Sequence, residues 1–250
     1  MRAVARVVAE ADGRGGSRLT RLRSQAPLVL RATARAVYLV GGAGGPLAGD
    51  DLTVEIDVGP GAELTVRSAA ASVALPGARP APSRLRVRAH VGAGGTLRWM
   101  PEPVVAARGC DHRMQATVDV DGGGGLIWWE ELVLGRDGEA SGSVTSRVHV
   151  DVDGRPLLRS ELALGPAHRS AATPAVAGTA GAAGSVLMVH PDWTTHGPVA
   201  PTAAEDRAAV LVLDGPGAQV VALADHARAL RQTLEAATVA TAGSQFGGRR

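Results

Sequence analysis

Paired carboxylates, residues that can serve acid–base chemistry or bind a cation, occur twice in this chain, at Asp50-Asp51 and Glu130-Glu131. Neighbours on a strand point to opposite faces, so one member of each pair is expected to face water. Glu130 resists that reading. It directly follows Leu126-Ile127-Trp128-Trp129, where a carboxylate is costly unless an arginine, a backbone donor or a metal partners it. Arg136, six residues on, is one candidate partner. Cys110-Asp111-His112 sets three potential ligands in a row, and His190 and His196 flank Pro191-Asp192-Trp193. Adjacent strand residues do not easily share one ion, and the paired spacing of structural zinc sites is missing. These residues are therefore read as surface histidines and a small buried or half-buried cysteine.

Other chemistry is excluded more firmly. All 26 basic residues are arginine, so a Walker phosphate loop, a pyridoxal-phosphate Schiff base and a protein-kinase site each lack their lysine. The Gly-rich segment from Gly41 to Gly49 follows an apolar strand, yet it holds no G-x-G-x-x-G spacing and leads into another strand. Without a helix N-terminus to receive a phosphate, it reads as a tight strand connection. No G-x-S-x-G elbow occurs.

The elements that must position these residues show a period of two. Leu52, Val54, Ile56 and Val58 alternate with Thr53, Glu55 and Asp57. Leu85 to Val91, Met114 to Val120 and Val148 to Val152 repeat the pattern. Alternation of this kind predicts antiparallel strands with one wet face. Glycine-rich turns begin at residues 59, 92, 122 and 153, at intervals of 33, 30 and 31 residues, and again at 215. The regular spacing predicts a mainly β protein of antiparallel strands and hairpins stacked into a β-helix-like or layered-sheet body. Helical signals come late. Thr202-Ala-Ala-Glu205 is a capping-box pattern, and Asp225 is a candidate cap for a helix over Ala227–Ala237 with Leu230 and Leu234 on one face. The Ala/Gly/Pro-rich stretch about 166–184 reads as a flexible segment of a single domain spanning 1–250.

Bulk composition sets the class. An apolar content of 45% with 20% charge is globular. The net charge of +2 and the lack of a basic run give no reason to expect nucleic acid. One cysteine forbids an internal disulfide and fits a reducing compartment. Arg6 and Glu10 interrupt any signal-like stretch, and the longest charge-free run, Ser170–Pro191, is too weakly apolar for a bilayer. A soluble cytoplasmic protein is expected.

Five segments in order resemble the urease accessory protein D family (UreD, also called UreH). They are Tyr38-Leu39-Val40 with the glycine-rich run ending Gly49-Asp50, Val58-Gly59-Pro60-Gly61-Ala62, Trp99-Met100-Pro101-Glu102-Pro103-Val104-Val105, Glu130-Glu131-Leu132-Val133-Leu134-Gly135-Arg136, and Asp153-Gly154-Arg155-Pro156-Leu157-Leu158. Gly138-Glu139 follows Arg136 sooner than the family pattern has it, and the family's C-terminal ending is absent after residue 237. The resemblance implies a β-rich maturation factor that is not an enzyme. It implies binding to accessory protein F, through it to the GTPase accessory protein G, and docking on the urease apoprotein to help insert nickel. It places Asp50 and Glu130 on a transient nickel passage, with Arg136 orienting or neutralising a carboxylate and no tightly bound cofactor. Scattered carboxylates hold Ni²⁺ less firmly than grouped imidazoles or thiolates, as a conduit requires. The rival reading is a metal-dependent enzyme of a β-rich fold using Asp50, Glu130 and one or more of His112, His190 and His196.

Overall fold

A computed structural model describes residues 1–193, 197–198 and 207–242. Strands β1 (Arg2–Ala11) and β2 (Ser17–Arg23) pair at the edge of one sheet, and β3 (Leu28–Ala32) and β4 (Val37–Gly41) at the edge of a second. The chain then winds. β5 (Asp51–Val58) lies in the first sheet, the Gly59-Pro60-Gly61 turn carries the backbone across, and β6 (Glu63–Ser68) lies in the second. After β7 (Ser72–Ala74) the chain returns as β8 (Ser83–Val91), parallel to β5. The next coil comprises β9 (Thr96–Met100), β10 (Val104–Ala106) and β11 (Asp111–Val120). The one after it comprises β12 (Gly125–Leu134) and β13 (Ser143–Val152). β14 (Arg155–Leu164), β15 (Ala182–Val189), β16 (Ala208–Val212) and β17 (Gly217–Ala224) complete the sheets, and helix α1 (Ala227–Ala242) follows. The first sheet runs β14-β13-β11-β8-β5-β1-β2, and the second β16-β17-β15-β12-β9-β6-β4-β3.

The solenoid-like stacking matches the turn spacing, but the pairing differs from the antiparallel expectation. β1, β5, β8, β11 and β13 pair in parallel, as do β4, β6, β9 and β12. Only the Asp153-Gly154 and residue-215 turns close hairpins; those at 59, 92 and 122 cross between sheets. The physical reason is that period two fixes which face of a strand is apolar and leaves open which neighbour it pairs with. The inward sets form one core between the sheets, including Val54, Val87, Val118 and Val150.

Stacked turns explain the glycines. Gly92 N donates to the Val58 carbonyl and Asp121 N to that of Val91, so each crossing lies on the one before. A Cβ at Gly92 would sit 2.8 Å from Pro60 N, and one at Gly95 would sit 2.9 Å from the Gly59 carbonyl oxygen.

α1 runs further than expected, and His226, not Asp225, caps it: the Ala229 amide donates to His226 Nδ1 at 3.2 Å. Asp225 is turned to Arg207 instead. Leu230 and Leu234 share the buried face, as their spacing requires. The capping-box pattern at Thr202–Glu205 lies outside the described residues. The 166–184 stretch carries a short 3-10 turn, Arg169–Ala172, and its end enters β15. No helix among the described residues is long and apolar enough to cross a membrane.

α1 approaches the second sheet at Gly184, where an added Cβ would meet the Glu130 carbonyl oxygen at 2.7 Å and Leu234 Cδ1 at 2.9 Å. Gly184→Ala is expected to cost about 1–3 kcal/mol in urea denaturation. Gly44→Ala, with nothing within 4 Å of the new methyl, should stay within about 0.5 kcal/mol of wild type.

Candidate functional site

At one level between the sheets the apolar filling gives way. Ser146 takes the inward position between Val144 and Val148 on β13, and Ser160 that between Leu158 and Leu162 on β14. Ser185 of β15 and Gln219 of β17 face the same space, and Ser185 is the register partner of Glu130. Together with Glu130 they line a cavity of about 650 Å³, to which Glu161, Arg207 and residues 174–180 also contribute. Glu130 lines a second cavity as well. This one is about 40 Å³, with Glu102, Glu131, Ser68, Ser72 and Gln115 among its walls. It is room for a water or a small ion.

The Glu130 carboxyl is buried and hydrogen-bonded. Ser146 Oγ donates to Oε2 at 2.9 Å, and Trp128 Nε1 donates to Oε1 at 3.3 Å. The Trp128 ring is itself held by stacking on Trp99, centroids 5.2 Å apart. Burial pushes the Glu130 carboxyl above the usual carboxylate range, and the two donors pull it part of the way back. A cation is held by the ionised form of such a group, so its grip weakens as pH falls.

Its sequence neighbour faces the other way. Glu131 is buried under α1, where Arg231 Nε donates to Oε1 at 2.9 Å and Trp129 Nε1 donates to the same oxygen. The second Arg231 nitrogen donates to Glu102 Oε2 at 2.9 Å, and Glu131 Oε2 has no hydrogen-bond partner. Arg231 thus ties helix α1 to β12 and to the β9–β10 connection through one guanidinium, a geometry that arginine suits better than lysine.

The remaining expected residues fall elsewhere. Arg136 is not the Glu130 partner; it forks onto Glu139 at 2.8 Å through both Nε and a terminal nitrogen, because the chain reverses at Gly135–Gly138 directly after β12. Asp50 is buried in the Gly-rich connection, where Oδ1 accepts from the Met1 ammonium at 2.6 Å and Oδ2 accepts from the Leu47 amide at 2.9 Å. Asp50 lines neither cavity that Glu130 lines. Cys110 is buried, as expected for a small thiol, but His112 is not a surface residue: Ser83 Oγ and His112 Nδ1 lie 2.8 Å apart in the interior. Burial holds His112 down to about 4, neutral at ordinary pH, although the Asp111 charge pulls upward. Half-buried His190 lies over Trp193, ring centroids 6.0 Å apart, and His196 lies outside the described residues. Among the described residues no three His, Cys, Asp or Glu side chains gather as a metal-holding group.

Sequence reasoning missed Ser146, Ser160, Ser185, Gln219, Glu102 and Arg231 as parts of this site, and expected of the Glu130-Glu131 pair that one member would face water, whereas both are buried. The first two carried a signal: each is a polar residue at an inward position of an otherwise apolar alternation.

The family model of the UreD urease accessory protein matches residues 1–250. The chain is 44% identical to the urease accessory protein UreD of Parafrankia sp. (strain EAN1pec) over 269 residues, covering 98% of this chain and 90% of that relative. It is 44% identical to that of Frankia alni over 275 residues, covering 94% and 92%. It is 42% identical to that of Streptomyces avermitilis over 243 residues, covering 95% and 96%.

Two buried groups titrate with opposite sign. Folding lowers the His112 pKa from 6.5 to about 4, so stability present above 6.5 is lost as pH falls through that window, by about 3 kcal/mol in all. Urea denaturation should show His112→Gln with a flatter profile between pH 7 and pH 4. The Glu130 carboxyl is raised instead, so its ionisation penalises the fold as pH climbs above the ordinary carboxylate value. Glu130→Gln should be more stable than wild type at pH 8, with the difference shrinking toward pH 4.

Proposed function

The chain belongs to the UreD family of urease accessory proteins, which gives it a part in urease maturation, and we propose that its part is to scaffold the assembly and pass nickel toward the apoprotein. In this reading it binds accessory protein F, through F the GTPase accessory protein G, and docks on apo-urease in the cytoplasm. It carries out no turnover itself and keeps no cofactor; nickel is its cargo.

One observation carries the reading: Glu130 lines both the larger and the smaller inter-sheet cavity. A carboxyl shared by two adjoining spaces is where a cation exchanges one for the other. A lone carboxylate, without grouped imidazoles or thiolates, holds Ni²⁺ weakly enough for release, the same compromise that governs conduction through pores. Ser146 and Trp128 steady the carboxyl from separate oxygens, so each oxygen keeps a lone-pair direction for cargo. For Asp50 the reading assigns a separate waypoint at the start of β5, where a cation competes with the Met1 ammonium for one carboxylate.

The test is reconstitution with F, G and apo-urease, followed by nickel content and urease activity. Glu130→Ala is expected to leave the complex assembled and slow activation roughly tenfold, the scale of losing a tuned metal contact. Asp50→Ala is expected to slow it less, since Asp50 already carries a cationic partner. Normal activation with the protein omitted would refute the scaffold, and full activation by both variants would refute the passage.

A further inference from the structure

We infer that the free edge of β2, at the amino-terminal end of the stack, takes up an extended acidic segment of a partner protein as an added strand. The charge of the chain is uneven. Residues 1–35 hold eight arginines against two acids, Glu10 and Asp12, whereas residues 36–250 hold 18 arginines against 22 acids. The basic stretch builds β1, β2 and β3, which close the amino-terminal end of both sheets.

β2 is an open edge. It pairs with β1 alone, and the backbone groups on its other side have no backbone partner among the described residues. Register sorts its side chains. Leu22 pairs with Val7 and Leu19 with Ala9, both core residues, so the two leucines point inward. They nevertheless stay 40% and 38% exposed, because β3, the last strand of the second sheet, packs on β1 and leaves β2 one strand beyond it. Arg18, Arg21 and Arg23 take the outward face, in register with Glu10, Val8 and Arg6.

The acids near this edge are committed elsewhere. Glu10 takes Arg18, and Asp12 accepts the Arg14 and Gly16 amides of its own turn. On β5, beyond β1, Glu55 takes Arg6 and Asp57 takes His90. Glu63, whose amide donates to the Ser17 hydroxyl, turns its carboxylate to Arg98. Arg21 and Arg23 have no ion pair among the described residues, and their register partners are an apolar residue and another arginine.

These features choose the occupant. An unpaired edge offers N–H and C=O groups that a peptide backbone meets in step and a nucleic acid or lipid headgroup does not. Arg21 and Arg23 stand roughly 6.6 Å apart, the spacing of alternate carboxylates on an added strand. Guanidinium meets carboxylate bidentately. Residues between those acids would point the way of Leu19 and Leu22, so apolar ones there extend a strip otherwise left to water. A second copy of this chain fits badly, because two β2 strands side by side set arginine against arginine. The inference is independent of the nickel passage, which lies between the sheets at Glu130.

The experiment follows fluorescence anisotropy of a labelled alternating Glu-Val octapeptide with the full chain. A Lys-Val octapeptide, a fully N-methylated Glu-Val octapeptide and an oligothymidylate serve for comparison. The Glu-Val peptide is expected to bind at low salt and to weaken about tenfold between about 50 and about 300 mM, as exposed charges are screened. N-methylation should cost about tenfold or more, since it removes the donors of the added ladder. Arg21→Glu with Arg23→Glu should abolish binding, and the milder Arg21→Gln with Arg23→Gln should weaken it, with circular dichroism showing each variant folded. The inference is overturned by no binding of the Glu-Val peptide to wild type, by equal binding of the Lys-Val or N-methylated peptide, or by tighter binding of the oligothymidylate. Variants that bind as wild type, or a wild-type dimer held through this edge in sedimentation, would overturn it equally.

Discussion

A parallel ladder cannot satisfy itself within one coil, and that constraint shapes the whole molecule. Each strand of the middle coils finds its hydrogen-bond partner only in the coil before or after it. β5 waits for β8, β8 for β11, β6 for β9. The ends of such a stack leave open edges, which natural sheets must blunt. Here both ends turn antiparallel, through β1 with β2 and β13 with β14 in the first sheet, and through β3 with β4 and β15 with β17 in the second. The edge strand β2 carries Arg18, Arg21 and Arg23, charges that discourage pairing with a like strand.

The same constraint makes the polar level between the sheets informative. Packing in a solenoid core is nearest-neighbour, so a polar residue at an inward position is felt by the facing sheet and the adjoining coil and hardly beyond. Leu126 and Trp128 fill the core on β12, and Glu130, two residues on, accepts directly from Ser146 at the wall of a cavity. A stability-optimal sequence would continue the apolar row. Keeping a desolvated carboxyl there, with its proton affinity raised, is the kind of local departure from packing logic expected at a working site.

Arginine serves as the only long cation, and it does three separate things. Arg231 joins a carboxylate of β12 and one of the β9–β10 connection to the helix, Arg136 closes the loop after β12 on Glu139, and the β8 row is laid out in register on the solvent face. The first two are ties between parts of the chain. The third stands among acids of the neighbouring strand, with Asp51 beside Arg84 and Glu55 beside Arg88 in register.

The alternation of residues such as Val54 with Glu55 and Val118 with Asp119 determined from sequence which face of each strand is buried. The glycine spacing determined the length of a coil, because close backbone approach needs glycine and positive φ favours it. The sequence likewise marked Glu130 as a carboxylate in need of partners. Which partners it received was beyond its reach. Period two is equally compatible with parallel and antiparallel neighbours, and local spacing pointed to Arg136 when the donors came from Ser146 on another strand and from Trp128. The family resemblance also gave Asp50 and Glu130 the same expected role. Only the winding of the chain decided that one would hold the amino terminus and the other a wall shared by two cavities, because contacts between coils are set by three-dimensional stacking and leave no trace in local residue order.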